Sequence, residues 1–89
     1  MARIVATLKI LPTGTDIPMK ALEESVKRSL PEGVTLYKSE EEPIAFGLVA
    51  LIVHLVMPED ISGGLESIES RLNAIPDVGQ IDTVLVRRV

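Results

Sequence analysis

Apolar and polar residues alternate over residues 2–11 (ARIVATLKIL), with Ile4, Ala6, Leu8 and Ile10 on one side and Arg3, Thr7 and Lys9 on the other. That period of two belongs to a strand with one buried face, blurred here by Val5 and Leu11. PTGTD then turns the chain, Asp16 is placed to cap a helix, and Pro18 suits its first turn. Over residues 17–30 the spacing becomes helical, with Met19, Leu22, Val26 and Leu30 on one stripe. Glu23–Lys27 and Glu24–Arg28 stand four apart with the acid first, the favourable order along a helix. Pro31 and Gly33 end it.

A short strand, VTLYKS, follows over residues 34–39, and EEEP reads as a solvated turn. Between Pro43 and Pro58 lie fourteen residues, 44–57, without a formal charge. As a helix they would rise about 21 Å, short of the roughly 30 Å hydrocarbon core of a bilayer. Val49, Ile52, Val53 and Val56 are β-branched, Gly47 interrupts and prolines flank, all of which favour a strand. Both alternating sets are apolar. One holds Phe46, Leu48, Ala50, Ile52, His54 and Val56, the other Val49, Leu51, Val53, Leu55 and Met57. Such a strand is central, or its open face meets a partner. Beyond PEDISGG a second helical stripe runs through Ile61, Leu65, Ile68, Leu72 and Ile75, with Ser62 or Asp60 as its cap. PDVG ends that helix, and residues 80–89 (QIDTVLVRRV) form a last strand.

The order β-α-β-β-α-β with right-handed crossovers predicts an α+β fold, the ferredoxin-like split β-α-β-β-α-β sandwich. Its four-stranded antiparallel sheet would carry both helices on one face, with the first and third strands at the centre. The uncovered face then becomes a candidate partner surface, and the third strand lends it an apolar patch.

At 89 residues the chain predicts one domain, residues 1–89. The net charge is −4, which repels phosphate backbones, and only Tyr37 and Phe46 are aromatic, too few to stack bases. Direct nucleic-acid binding is therefore not expected. The absence of cysteine excludes disulfide scaffolds and thiolate metal sites, and a single histidine leaves little for a histidine-based one. The N-terminal stretch lacks the shape of a signal peptide, so an intracellular, cytoplasmic protein without membrane association is expected.

No catalytic constellation emerges, neither a triphosphate loop, a GxGxxG after a strand, nor HExxH. SGG at 62–64 opens a helix and could meet an anion, but reads as a flexible helix entry. His54 stands alone in an apolar strand and reads as a packed or sheet-face histidine. Glu40, Glu41 and Glu42 read as a solvated hairpin turn rather than a cation site. Ser25, Ser29, Ser67 and Ser70 have no base near them in sequence and read as solvent-facing. No cofactor or metal site is expected, and no covalent chemistry.

Two features stand apart. Phe46 follows EEEPIA directly and precedes Gly47, so it either projects as a binding anchor or closes the end of the core. Arg87 and Arg88 end an acidic chain, either as a local positive point able to reach a phosphate or displace a cation, or as frayed terminal charges.

EEPIAFGLVAL (41–51), with LPEGVTLYK (30–38) before it and the terminal VLVRRV, resembles archaeal translation elongation factor 1-beta, the guanine-nucleotide exchange subunit of elongation factor 1. The likeness spans the chain. It implies the split fold and an exchange factor for elongation factor 1-alpha, the GTPase that delivers aminoacyl-tRNA. It also implies that Phe46 enters a pocket on the GTPase, flanked by Ile44, Ala45 and Gly47, while Arg88 disturbs the magnesium site. Eukaryotic members carry lysine at the position of Arg88, and a lysine pair where this chain has Val49 and Ala50. From the residues alone another reading stays open: a ferredoxin-like regulatory domain that binds a small ligand as a dimer.

Overall fold

The computed structural model describes residues 3–60 and 64–89. The elements follow the expected order: β1 (Arg3–Pro12), α1 (Met19–Ser29), β2 (Thr35–Pro43), β3 (Val49–Pro58), α2 (Gly64–Asn73) and β4 (Val78–Arg88). All strand pairs are antiparallel, and the sheet order β2-β3-β1-β4 places β1 and β3 at the centre. Ile61, the Ser62 cap and the start of the SGG run lie outside the described residues.

The core is the alternation read in three dimensions. Ala6, Leu8 and Ile10 of β1 meet Leu51, Val53, Leu55 and Met57 of β3 on one sheet face. Leu22 and Val26 of α1 and Ile68 and Leu72 of α2 close over them, so both helices share that face. Met19, Leu30 and Leu65 complete the two stripes from the margin, and Ile75 and Val78 seal the turn into β4. Burial of this kind contributes about 25 cal/mol per Å2 of apolar surface.

Several boundaries differ from the sequence reading. Helix α1 starts at Met19, with Pro18 as its N-cap and no side-chain cap, so Asp16 does not serve as one. Pro18 itself sits in the extended region (φ −65°, ψ 127°), so the helix begins only after it. Lys27 pairs with Glu23 at 3.8 Å, whereas Arg28 turns to the Ser25 hydroxyl at 3.4 Å instead of Glu24. Strand β2 runs nine residues, to Pro43, and absorbs EEEP. Strand β3 begins at Val49, so Phe46 and Leu48 do not belong to it.

The uncovered sheet face also departs from expectation. Its β1 and β3 residues are not an open apolar patch: Val5 and Ile52 are each only 9% exposed. At Ile52 the cover comes from neighbouring strands. Lys9 on β1 reaches across β3 to Glu42 on β2, with Nζ and Oε1 3.5 Å apart. The exposed aliphatics gather instead on edge strand β4, at Val84, Leu85 and Val86. The β1–β4 register slips there, with Leu85 opposite Thr7 and Thr83 opposite Leu8, which leaves Val84 as a bulge. A bulge with arginines beside it discourages further strand pairing at an edge.

Candidate functional site

The β2–β3 hairpin ends in a tight tip, and its backbone explains where Phe46 goes. The Leu48 N–H donates to the Ala45 carbonyl at 2.9 Å, and the Ile44 N–H donates to the Leu48 carbonyl at 2.9 Å. The two central residues of the Ala45–Leu48 turn both have positive φ, +53° at Phe46 and +80° at Gly47. Positive φ at both positions is the type I′ pattern, whose twist suits a hairpin. Glycine takes it at no steric cost, but a phenylalanine there pays roughly 1–2 kcal/mol. Phe46 is 97% exposed, so the ring recovers nothing from this chain's own core. Ile44 and Ala45 beside it are exposed as well. The tip is an aromatic held out in solvent on a strained turn.

Gly47 faces the β1–α1 loop. A Cβ built on it would meet Thr15 Cγ2 at 3.7 Å, an ordinary contact, so space does not forbid a side chain there. The left-handed backbone does. Gly47→Ala is expected to lower stability by about 1–2 kcal/mol, seen as a reduced urea midpoint with unchanged slope.

Arg88 stands at the other end of the sheet. Val49 to Met57 spans eight residue steps, about 26 Å at roughly 3.3 Å each, and Met57 lies level with Ile4, whose partner on β4 is Arg88. Phe46 and Arg88 are thus not brought together. Nor is the C-terminus frayed. Val89 donates to the Arg3 carbonyl at 2.9 Å and accepts from the Arg3 N–H at 3.1 Å. Successive strand residues alternate faces, so Arg87 and Arg88 diverge. Arg88 places Nη2 2.7 Å from Oε1 of Glu59, just past the end of β3. Sequence reading missed Glu59, which lies 29 positions away and carries no local signature.

The third polar group crosses the uncovered sheet face. Thr7 Oγ1 and His54 Nδ1 are 2.9 Å apart, and Tyr37 lies against the imidazole with ring centres 5.9 Å apart. His54 Nε2 is buried without a hydrogen-bond partner among the described residues, 3.7 Å from Glu40 Oε2. Lys38 Nζ stands 3.1 Å from the other Glu40 oxygen. The Lys38 ammonium, more than His54, holds the Glu40 carboxyl below its ordinary value of 4.5 against a weaker effect of burial. The alternation of β2 sends Glu40 and Glu42 to this face and Glu41 to the other, so the acidic run does not converge on a cation.

A lowered carboxylate pKa means stability that is present above 4.5 and lost as pH falls through the lower folded value. The stability gap between the wild type and Glu40→Gln should therefore narrow as pH drops below 4.5, measured by urea unfolding across that range. Because the pair is exposed, the gap should be small and salt-sensitive.

Residues 5–89 match the family model described as the EF-1 guanine nucleotide exchange domain. The chain belongs to this family. A protein named elongation factor 1-beta from Methanothermobacter thermautotrophicus is 44% identical over 89 residues, covering 100% of this chain and 99% of its own. One of the same name from Sulfolobus acidocaldarius is 41% identical over 86 residues, covering 97% and 96%. The family member described here is a guanine-nucleotide exchange factor of translation elongation, and its partner is an elongation-factor GTPase. The solution structure of the C-terminal domain of MgtC from Mycobacterium tuberculosis is also similar, with a TM-score of 0.60, 18% identity, and coverage of 92% of this chain and 85% of that one. At that identity the likeness is one of fold alone. Among the described residues no helix is long and apolar enough to cross a membrane.

Proposed function

We propose that residues 1–89 act as one exchange domain on elongation factor 1-alpha in the cytoplasm, without covalent chemistry, a cofactor or direct nucleic-acid contact. The carrying observation is the exposed ring of Phe46 at the strained hairpin tip. An aromatic anchor of this kind fills a pocket on the partner, with Ile44, Ala45 and Gly47 forming the surface around it. Arg88, at the far end of the roughly 26 Å strand that leads away from the tip, would meet the GTPase at a second place, near its magnesium and nucleotide phosphates. A positive side chain competing there loosens the ion and with it the nucleotide. By linkage, a factor that binds the empty GTPase better than the loaded one lowers nucleotide affinity by the same ratio.

The exposure of Phe46 favours this reading over a small-ligand dimer, which gives the ring no reason to project. Release of a fluorescent GDP analogue from purified elongation factor 1-alpha tests it. Acceleration that saturates with the concentration of this protein is expected. A release rate unchanged at every concentration would overturn the proposal.

A further inference from the structure

The arginine at the C-terminal end is not a free charge, and what holds it bears on how it acts. Two backbone hydrogen bonds fasten Val89 to Arg3, which fixes the direction in which Arg88 leaves the sheet. Glu59 then takes the guanidinium at 2.7 Å through Nη2. Glu59 follows Pro58, which stands opposite Arg3 on β1, so its backbone is tied to the same end of the sheet. Both side chains remain partly exposed, and exposed pairs add little to fold stability. The pair restricts instead where a long, rotamer-rich side chain points.

Arginine suits that arrangement in a way lysine does not. Its guanidinium carries five N–H donors in a rigid fork, so a carboxylate can hold one edge while other donors face outward. An ammonium also keeps donors beyond the one a carboxylate takes, but all sit on one nitrogen, so they cannot be spread along a fixed planar edge. Resting on the reading of Arg88 given above, we propose that Glu59 is a positioning residue: it orders Arg88 before the GTPase arrives, leaving the outer donors of the guanidinium free for phosphate oxygens at the magnesium site. Glu59 acts through Arg88 and touches no reacting atom.

The test is a double-mutant cycle read by GDP release from elongation factor 1-alpha at saturating factor. Glu59→Gln keeps the shape of the side chain and removes its charge. Ordering one long side chain is worth about a two- to tenfold change, so Glu59→Gln should slow release by that much. The half-saturating concentration, set at the Phe46 end, should stay within about twofold. In the Arg88→Ala background Glu59→Gln should have no further effect, whereas a merely structural loss would appear in both backgrounds. Glu59→Asp should recover part of the rate, and urea unfolding of each variant checks that the domain is intact. If Arg88→Ala is slow but Glu59→Gln matches the wild type, this inference fails and the role of Arg88 survives. If Arg88→Ala itself matches the wild type, the underlying reading fails. Release faster than wild type from Glu59→Gln would also overturn the inference, since Glu59 would then restrain Arg88.

Discussion

Phe46→Ala is expected to weaken association with the GTPase by about thirtyfold or more while the domain stays folded. Truncating an anchor of this kind commonly costs a complex 2 kcal/mol or more, and 1.4 kcal/mol is a factor of ten. The fold should not notice, because a ring that is 97% exposed gives up almost no buried surface when it is removed. Alanine at φ +53° carries much the same backbone penalty as phenylalanine, so that term cancels as well. Asparagine, which tolerates the left-handed region, separates the two effects: Phe46→Asn should raise the urea midpoint and still lose association. Titration calorimetry against the nucleotide-free GTPase, with urea unfolding of the same preparations, measures both. A Phe46→Ala variant that binds and exchanges like the wild type would remove the anchor assignment.

Leu55→Ala is expected to do the opposite. Leu55 is fully buried on the helix-facing side of β3, with Ala6 opposite it on β1 and Leu36 on β2. Cutting a buried leucine to alanine leaves a cavity that a close-packed core relaxes into only partly, at about 2–5 kcal/mol. A domain of 89 residues has roughly 5–13 kcal/mol in total. The loss should appear as a large drop in urea midpoint. At temperatures where the variant is still folded, half-saturation in the GDP-release assay should stay near the wild-type value, since Leu55 lies far from the tip. Together the two substitutions separate the proposed binding surface from the core that presents it.

The hairpin tip shows why local reading stopped short. The apolar run from Ile44 to Met57 is continuous in sequence, so nothing in its hydrophobicity marks a turn. Asn-Gly or Asp-Gly would have announced one. Here Phe46 occupies the first left-handed position, a residue that local preference places elsewhere and that the flanking strand pairing holds there. EEEP misled in the other direction. Its charge suggested a solvated turn, yet Glu40 and Glu42 are strand residues whose carboxylates meet Lys38 and Lys9 above the sheet. Charge reports contact with water and counter-ions, not the absence of strand pairing.

The uncovered face makes the same point. Two apolar sets along β3 correctly indicated a central strand. Whether Ile52, in the set away from the helices, would lie open depended on Lys9 and Glu42, which are 33 residues apart and meet only once three strands are aligned. Glu59 and Arg88 are likewise joined by sheet register alone.

Periods of two and 3.6, with proline and glycine between them, were enough to specify the elements, their order and the residues of the core. Those features depend on each residue and its near neighbours, and the hydrophobic effect acts on them wherever the chain goes. The strand register that holds the Phe46 turn, the cover over Ile52 and the ion pair of Arg88 with Glu59 arose from pairing between strands. Their energies exist only after the strands have come into register, and no local pattern encodes that register.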